Sequence, residues 1–287
     1  MMEMDVRWYS HAKEFLNAAG EMLERNEAAN GLVLGICGQL IRHPERFRHP
    51  VCLITMAEGG AVALAAIMTP PHKLILAGTP RDAEAAAAEL VRAVAAPSWN
   101  IPGVFGPKSV AHPVVVRLAS AAGKDYRVEQ NLRMYELTSV RMTPPSRGRL
   151  RTAEASDLER VARWFYEARL EMFGKADPEE SRRAARHRVG DGDLFLWVDR
   201  EPVSMACRTR PTKRGISVGM VFTPPDRRRR GYATALVATL SSALLAEGRA
   251  FCTLYADLAN PTSNSIYRNI GYRPIGDLVD YELIEKV

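Results

Sequence analysis

Four consecutive arginines, Arg227 to Arg230, are followed directly by Gly-Tyr-Ala at residues 231–233. The preceding residues 216–223 are apolar and strand-like, and residues 234–247 carry leucines at helical spacing. The first turn of a helix has backbone N–H groups without intrahelical partners, and it carries about half a positive charge. A strand, a basic glycine turn and a helix in this order therefore predict a cradle for a phosphate group.

Two other interpretations of the arginine run stay open. Runs of like charge are commonly solvated faces, and short basic runs occur in nucleic-acid patches and targeting signals. The nucleic-acid interpretation favours an exposed tail with further basic residues nearby. This run is instead flanked by a hydrophobic strand and a hydrophobic helix. We therefore expect no nucleic-acid partner.

The composition is that of a soluble globular protein, with 47% apolar and 25% charged residues among 287, enough for two domains. No stretch has the roughly 18 to 20 apolar residues of a membrane span, and the N-terminus lacks the basic and apolar regions of a signal peptide. The four cysteines are widely spaced within apolar stretches. We expect a cytoplasmic protein without a membrane partner and, because the histidines do not cluster, without a metal.

The net charge is unevenly distributed. Residues 1–140 hold 14 basic and 14 acidic side chains, whereas residues 141–287 hold 25 basic and 19 acidic ones, so the net charge of +6 lies in the second part. This asymmetry indicates that the second part meets an anion. The sequence does not indicate an oligomeric state.

A polar segment with two adjacent prolines, residues 141–148, is predicted to be a linker. Landmarks recur on its two sides in the same order and at nearly one offset: Thr79-Pro80 and Thr223-Pro224, Gly123 and Gly271, Tyr135-Glu136-Leu137 and Tyr281-Glu282-Leu283. The chain is therefore predicted to contain two copies of one fold. In the second copy, Ser156 or Asp157 caps a helix, and alternating strands and helices predict an α+β fold, a mixed sheet with helices on its faces.

The segment Arg228-Arg-Arg-Gly231-Tyr-Ala233 resembles the acyl-CoA-binding pattern [QR]-x-x-G-x-[GA] of the GNAT superfamily of N-acyltransferases. A second segment, from Asn260 to Tyr272, resembles the pattern N-x-x-[SA]-x-x-x-Y-x-x-x-G-[FY] of the same family. The resemblance covers roughly residues 149–287. Many relatives have glycine where this chain has Arg229, which is a departure within a position that the pattern leaves free.

The resemblance implies two GNAT-like domains, each a mostly antiparallel sheet with helices on both faces. Residues 149–287 would form the catalytic N-acetyltransferase domain, and residues 1–140 a degenerate copy without the CoA-binding loop. Acetyl-CoA is the implied acyl donor, and a primary amine attacks it directly. The residues expected to bind the cofactor are Val221, Phe222, Thr223, Arg228, Arg229, Arg230, Gly231, Tyr232, Ala233, Thr234, Asn260, Asn264 and Tyr267.

Tyr267 occupies the position whose phenol in many relatives protonates the departing CoA thiolate. A phenol with a pKa near 10 stays protonated until it is needed by a thiolate with a pKa of about 8.5. An amide near Val221 would polarise the thioester carbonyl. Packing alone is the other interpretation of Tyr267, as helix capping is for Asn260 and Asn264.

Several questions stay open at this point. The general base is one of Glu167, Glu171, Glu201 and Asp257, or a water relay. The first copy has Ala119 at the position of the tyrosine, and it is a CoA-incompetent relative or an unrelated α/β domain. A non-catalytic acyl-CoA sensor is the alternative function. The cluster Arg182, Arg183, Arg186 and Arg188 indicates an acidic acceptor or a solvated helix face.

Overall fold

The structure is a computed structural model that describes residues 4–95, 99–141 and 147–286. Its first part contains β1 (Met4–Trp8), α1 (Ala12–Arg25), α2 (Gly31–Arg42), β2 (Cys52–Glu58), β3 (Ala61–Met68), β4 (Leu74–Gly78), α3 (Ala83–Ala95), β5 (Gly103–Pro107), α4 (Lys108–Ala122) and β6 (Asp125–Leu137). Its second part contains β7 (Arg149–Thr152), α5 (Leu158–Phe173), α6 (Pro178–Gly190), β8 (Leu194–Asp199), β9 (Glu201–Thr209), β10 (Gly215–Phe222), α7 (Tyr232–Ala246), β11 (Phe251–Asp257), α8 (Pro261–Ile270) and β12 (Arg273–Ile284). The same order of helices and strands occurs twice, as the repeated landmarks predict.

The chain forms two compact units that are not contiguous in sequence. The first comprises Met1–Met134, Ala256–Asn260 and Ile275–Val287, and the second comprises Tyr135–Tyr255 and Pro261–Pro274. Most of β12 lies with the first unit because it pairs antiparallel with β5, from Leu278 opposite Pro107 to Glu282 opposite Gly103. The predicted linker lies partly outside the described residues, and the functional division at 141–148 stays a prediction.

In the first unit the strand order is β1-β2-β3-β4-β5-β12-β6. Alternate residues of its strands face opposite layers of helices, as the two-residue period of a strand requires. Leu53 packs with Phe15 and Leu23 of α1, whereas Ile54 belongs to the core that includes Leu90 of α3. The unit is therefore a sheet covered by helices on both faces.

In the second unit the strand order is β11-β10-β9-β8-β7. The pair β10 and β11 is parallel, and the other pairs are antiparallel. Phe165 of α5 and Ala185 of α6 pack against Met205 on one face of this sheet. On the other face, the Cys252 thiol contacts the carbonyl oxygen of Ser241 in α7 at 3.8 Å. The predicted α+β fold class, with mixed sheets and helices on both faces, is confirmed.

The start of α5 differs in detail from the prediction. Asp157 directly precedes the helix, but its carboxylate bonds no amide of α5. It accepts the backbone N–H of Glu154 at 2.9 Å and two hydrogen bonds from the Arg151 guanidinium at 2.6 and 2.8 Å. The carboxylate therefore fastens β7 to the turn before α5, and the hydrogen bonds from Arg151 lower the pKa of Asp157.

We predict that Asp157→Asn lowers the free energy of unfolding at pH 7 by about 1.5–3 kcal/mol, the usual range for a hydrogen bond to a charged group. Because the folded-state pKa of Asp157 is depressed, its stabilisation is present above the unfolded pKa of about 3.9 and is lost as the pH falls through the folded pKa. Urea unfolding of the two proteins between pH 7 and pH 3 measures this difference, which narrows at acidic pH.

Asp277→Asn is the matched control, because Asp277 also accepts two hydrogen bonds from one arginine, Arg133, at 2.8 and 2.9 Å. The Asp277 side chain is 48% exposed, against 8% for Asp157. Exposed ion pairs contribute about 0–1 kcal/mol. Equal losses for the two variants would contradict a special role for Asp157.

Candidate active site

Strand β10 leaves its regular ladder close to its end. Gly219 pairs with Cys207 and Phe222 pairs with Met205, so Met220 and Val221 face the single residue Ala206. Two residues opposite one is a β-bulge, and Met220 adopts the left-handed conformation with φ +50°. Backbone strain of this kind in a residue other than glycine persists where the surrounding structure imposes it, commonly at binding or catalytic sites.

The parallel pairing of β10 with β11 ends before this bulge. It runs from Gly215 opposite Phe251 to Ser217 opposite Thr253, although both strands continue beyond that point. Backbone groups of β10 after Ser217 therefore lie outside the ladder on the β11 side. Such groups are strong hydrogen-bonding partners for an extended ligand.

Two hydroxyl groups hold the end of β10 in place. Ser204 donates to the carbonyl oxygen of Phe222 at 2.9 Å, and its oxygen is 2.8 Å from the Thr223 hydroxyl oxygen. Because a carbonyl oxygen only accepts, Thr223 donates to Ser204. Phe222 is buried against Trp164 of α5, and Val221 is half-buried.

The arginine run forms the turn between β10 and α7. Arg229 has φ +60° and Gly231 has φ +77°, so both residues adopt the left-handed conformation. Gly231 occupies the N-cap position of α7 and has no side chain to cap the helix. Within the described residues, no acceptor pairs with the backbone N–H groups of residues 229–234. These amides form a concave set of donors at a helix N-terminus, which suits a phosphate group.

The arginine side chains divide into two kinds. Arg227 contacts Glu201 at 2.7 Å, and Arg228 contacts Glu171 at 2.6 Å and the carbonyl oxygen of Thr223 at 2.9 Å. Arg229 and Arg230 are exposed and form no ion pair with any described residue. The cations available to an incoming anion are therefore the two nearest to Gly231.

The remaining predicted residues of this loop lie in the first turn of α7. Tyr232 is buried, and its phenol donates to Asp199 at 2.6 Å, a hydrogen bond that raises the pKa of Tyr232. Ala233 and Thr234 are half-buried. Tyr232 therefore anchors the loop to the end of β8, whereas its own backbone N–H has no partner among the described residues.

The corresponding helix of the first copy, α3, begins differently. Asp82 lies directly before it, and its Oδ1 accepts the backbone N–H groups of Glu84 and Ala85 at 3.1 and 3.0 Å. A carboxylate of the chain itself thus occupies amides that stay unpaired in α7. An intramolecular cap of this kind disfavours a phosphate at the start of α3, and the lack of a CoA site in the first copy stays a prediction.

Tyr267 lies in α8 among other aromatic rings. Its ring centroid is 6.3 Å from that of Tyr135 and 6.0 Å from that of Tyr272. The hydroxyl of Tyr135 donates to Asn264 at 2.7 Å, and that of Tyr272 is 2.8 Å from the hydroxyl of Ser241. The Tyr267 hydroxyl has no hydrogen-bond partner among the described residues, and burial raises its pKa to about 12. It is the unengaged phenol of the three.

The two predicted asparagines occupy different positions. Asn260 is exposed and directly precedes α8. Asn264 is buried inside α8, so it does not stand at the cap position, and its side-chain oxygen accepts the bond from Tyr135. Asn264 therefore contacts the cluster formed by Tyr135, Tyr267 and Tyr272.

Three of the four candidate bases line one cavity of about 550 Å³ between α5 and the segment that follows β10. Glu171 and Glu201 each pair with an arginine of the loop, and Glu167 lies 3.8 Å from Arg163. Asp257 accepts the backbone N–H of Ala259 at 2.8 Å. These contacts give Glu171 and Glu201 a structural role, and they do not identify a base.

Residues 198–280 match the family model described as FR47-like protein, and no curated protein matches the chain. A solved Drosophila protein shares 15% identity with a TM-score of 0.70, covering 97% of this chain and 98% of its own. A GCN5-related N-acetyltransferase from Sphaerobacter thermophilus shares 17% identity with a TM-score of 0.61, covering 99% and 96%. A tandem GNAT protein from the clavulanic acid biosynthesis pathway shares 15% identity with a TM-score of 0.58, covering 99% and 98%.

The chain has the GNAT fold. The bulged β10, the early end of its pairing with β11 and the open start of α7 leave backbone groups without partners, which suits an extended ligand that carries a phosphate. Among the described residues, no helix has the length and apolar character needed to cross a membrane. The same residues contain no group of three or more His, Cys, Asp or Glu side chains suited to a metal ion.

We predict that Arg229→Gly changes the free energy of unfolding by less than about 1 kcal/mol. The left-handed conformation of Arg229 strains an ordinary side chain, and glycine removes that strain while making the unfolded chain more flexible. Arg230→Gly, at an exposed neighbour without positive φ, is expected to lose about 0.5–1 kcal/mol. Chemical denaturation of both variants makes the comparison, and a larger loss for Arg229→Gly would contradict the strain at that position.

Proposed function

We propose that this protein is an N-acetyltransferase, which transfers the acetyl group of acetyl-CoA to a primary amine by direct attack. The GNAT fold supports acyl transfer in general. The observation that carries the proposal is the open start of α7, where the amides of residues 229–234 have no partner within the described chain. A pyrophosphate bound there is the anion that these amides and the side chains of Arg229 and Arg230 suit. The proposal places the protein in the cytoplasm.

The bulge in β10 supports a role in catalysis as well as in binding. The backbone amide of Val221 is proposed to donate to the thioester carbonyl oxygen, where negative charge develops as the amine attacks. Val221 lies in the stretch where β10 pairs regularly with neither neighbouring strand. A donor that is fixed before the reaction costs no reorganisation during it.

Tyr267 is proposed to act as the general acid. As the amine nitrogen bonds to the carbonyl carbon, the carbon–sulfur bond breaks and the phenol gives its proton to the leaving thiolate. With a pKa of about 12, the phenol stays protonated at neutral pH. The proton that the amine loses passes to water or to a base that remains unassigned, and the phenol regains a proton from solvent.

We predict that Gly231→Ala weakens CoA binding at least tenfold. A Cβ at Gly231 meets no atom of the protein within 4 Å, so it would project into open space beside the amides, and φ +77° strains alanine. Gly248→Ala is the matched control, because Gly248 follows the same helix with φ +95° and equally open space. Both variants are expected to lose about 1 kcal/mol of stability.

Isothermal titration calorimetry with CoA separates the effect of backbone strain in the two variants from an effect on CoA binding. Weaker binding in Gly231→Ala with unchanged binding in Gly248→Ala supports a phosphate site at the start of α7. Equal CoA affinities in all three proteins would contradict it.

We predict that Tyr267→Phe slows acetyl transfer at least about 100-fold, the lower end of the usual contribution of a general acid, while the CoA dissociation constant changes less than twofold. Free thiol released from acetyl-CoA with a panel of primary amines measures the rate. Tyr272→Phe is the control, since it removes a phenol from the same aromatic cluster whose hydroxyl already contacts Ser241.

The alternative function is a non-catalytic acyl-CoA sensor, in which Tyr267 serves only to pack between Tyr135 and Tyr272. That function predicts thermal stabilisation by CoA with no thiol release in the wild type. Equal rates in the wild type and Tyr267→Phe would instead show acyl transfer without this acid.

A further inference from the structure

Arg210, directly after β9, holds a cation without a matching anion. Its Cζ lies 4.7 Å from the centroid of the Tyr255 ring, and its Nε is buried with no hydrogen-bond partner among the described residues. The residue has φ +50°, so strained backbone directs this side chain. No described carboxylate forms an ion pair with it.

The nearby arginines differ in this respect. Arg208 contacts Asp193 at 2.8 Å and Glu247 at 3.6 Å. Arg188 of α6 contacts Asp193 and the Thr209 hydroxyl, both at 3.4 Å. Asp193 is thus shared by two arginines. The three arginines therefore carry more positive charge than Asp193 and Glu247 neutralise. Arg210 is the one of the three that forms no ion pair with a described residue.

This arrangement costs the free protein stability. A cation–π contact offsets only part of the cost of removing a guanidinium from water. Burial lowers the pKa of Arg210, and the positive charge of Arg188 lowers it further. Burial also raises the pKa of Tyr255, so its phenol is neutral. A guanidinium with a buried, unbonded Nε and no carboxylate partner indicates a site for a bound anion.

Arg210 lies where β10 and β11 begin to separate. Thr209 pairs with Ser217, which pairs with Thr253, and the two hydroxyl oxygens of Ser217 and Thr253 are 2.7 Å apart. Tyr255, two residues after Thr253, faces the same side of the sheet as Thr253. This side is opposite to α7, which contacts Cys252.

The phosphate loop is at the other end of β10. Thr209, the neighbour of Arg210, pairs with Ser217, five residues before β10 ends at Phe222, and the arginine loop follows that end. Arg210 is therefore separate from the amides of residues 229–234. An anion bound at Arg210 is therefore a different chemical group from the CoA pyrophosphate bound at α7.

We propose that Arg210, with Arg188 beside it, binds an anionic group of the acceptor. The acceptor is then an amine that also carries a carboxylate or a phosphate. This inference rests on the proposed acyl transfer, and it identifies the class of substrate. A guanidinium binds either oxyanion through two parallel hydrogen bonds.

The test compares pairs of acceptors. α-Amino acids and ω-amino acids of increasing length are paired with their carboxamides, and aminoalkyl phosphates with the corresponding amino alcohols. We expect kcat/KM from thiol release to be at least tenfold higher for the anionic member of a productive pair. Arg210→Met is expected to abolish this preference and to keep transfer to neutral amines. If the wild type prefers only the phosphate-bearing acceptors or only the carboxylate-bearing ones, that result identifies the anionic group that Arg210 binds.

Arg249→Met is the matched control, because Arg249 is a half-buried cation whose guanidinium contacts a backbone carbonyl oxygen, that of Thr212, at 3.4 Å. It is expected to retain the wild-type preference. Equal transfer to charged and neutral amines by the wild type, or an unchanged preference in Arg210→Met, would overturn the inference while leaving acyl transfer intact.

Two measurements do not depend on turnover. Calorimetry with the same pairs in the presence of CoA is expected to give at least tenfold tighter binding of an anionic compound to the wild type, and no such difference in Arg210→Met. The melting temperature of Arg210→Met without ligand is expected to equal or exceed that of the wild type. No anion preference in binding, or a large drop in melting temperature, would assign Arg210 a structural role. Absence of both CoA binding and thiol release would instead refute the proposed function.

Discussion

The architecture of the candidate site depends on one interruption of hydrogen bonding in β10. A strand inside a sheet normally pairs its backbone groups on both sides, and unpaired groups that are buried are costly. Here the pairing with β11 stops at Ser217, and the pairing with β9 slips by one residue at Met220. The hydroxyls of Ser204 and Thr223 compensate at the end of the strand. The bulge then determines how the chain enters the arginine loop and where α7 begins.

The first backbone N–H groups of α3 and α7, the corresponding helices of the two copies, differ in their hydrogen-bond partners. Every helix begins with amides that lack intrahelical partners. In α3 the carboxylate of Asp82 accepts two of them, whereas in α7 the glycine at the cap position leaves them open. A self-capped helix is complete without a ligand. An uncapped one, preceded by two left-handed residues, is stabilised when an anion arrives.

Local patterns in the sequence predict much of this fold and less of the site. Leucine spacing places α7 and apolar runs place β10 and β11 within a few residues, because helix and strand periods are local properties. The cap of α3 has a local signal as well, since Asp82 directly precedes an alanine-rich helix. The bulge at Met220 has none, because methionine has no preference for the left-handed conformation. The pairing of β12 with β5 and the contact of Arg210 with Tyr255 join residues far apart in the chain, and only the folded topology brings them together.

The positive excess of residues 141–287 has a structural explanation in the ion pairs. Several arginines of the second unit are neutralised locally, among them Arg151 by Asp157, Arg182 by Glu159 and Arg228 by Glu171. Arg183 and Arg186 are exposed on α6, where water screens them. Among the described residues near β10, Arg229 and Arg230 before α7 are exposed and Arg210 after β9 is half-buried, and none of these three forms an ion pair. The exposed pair suits a highly charged phosphate ester, and Arg210 suits a carboxylate or a phosphate. A strand with an unpaired cation near each end is the arrangement expected where two different anionic ligands meet.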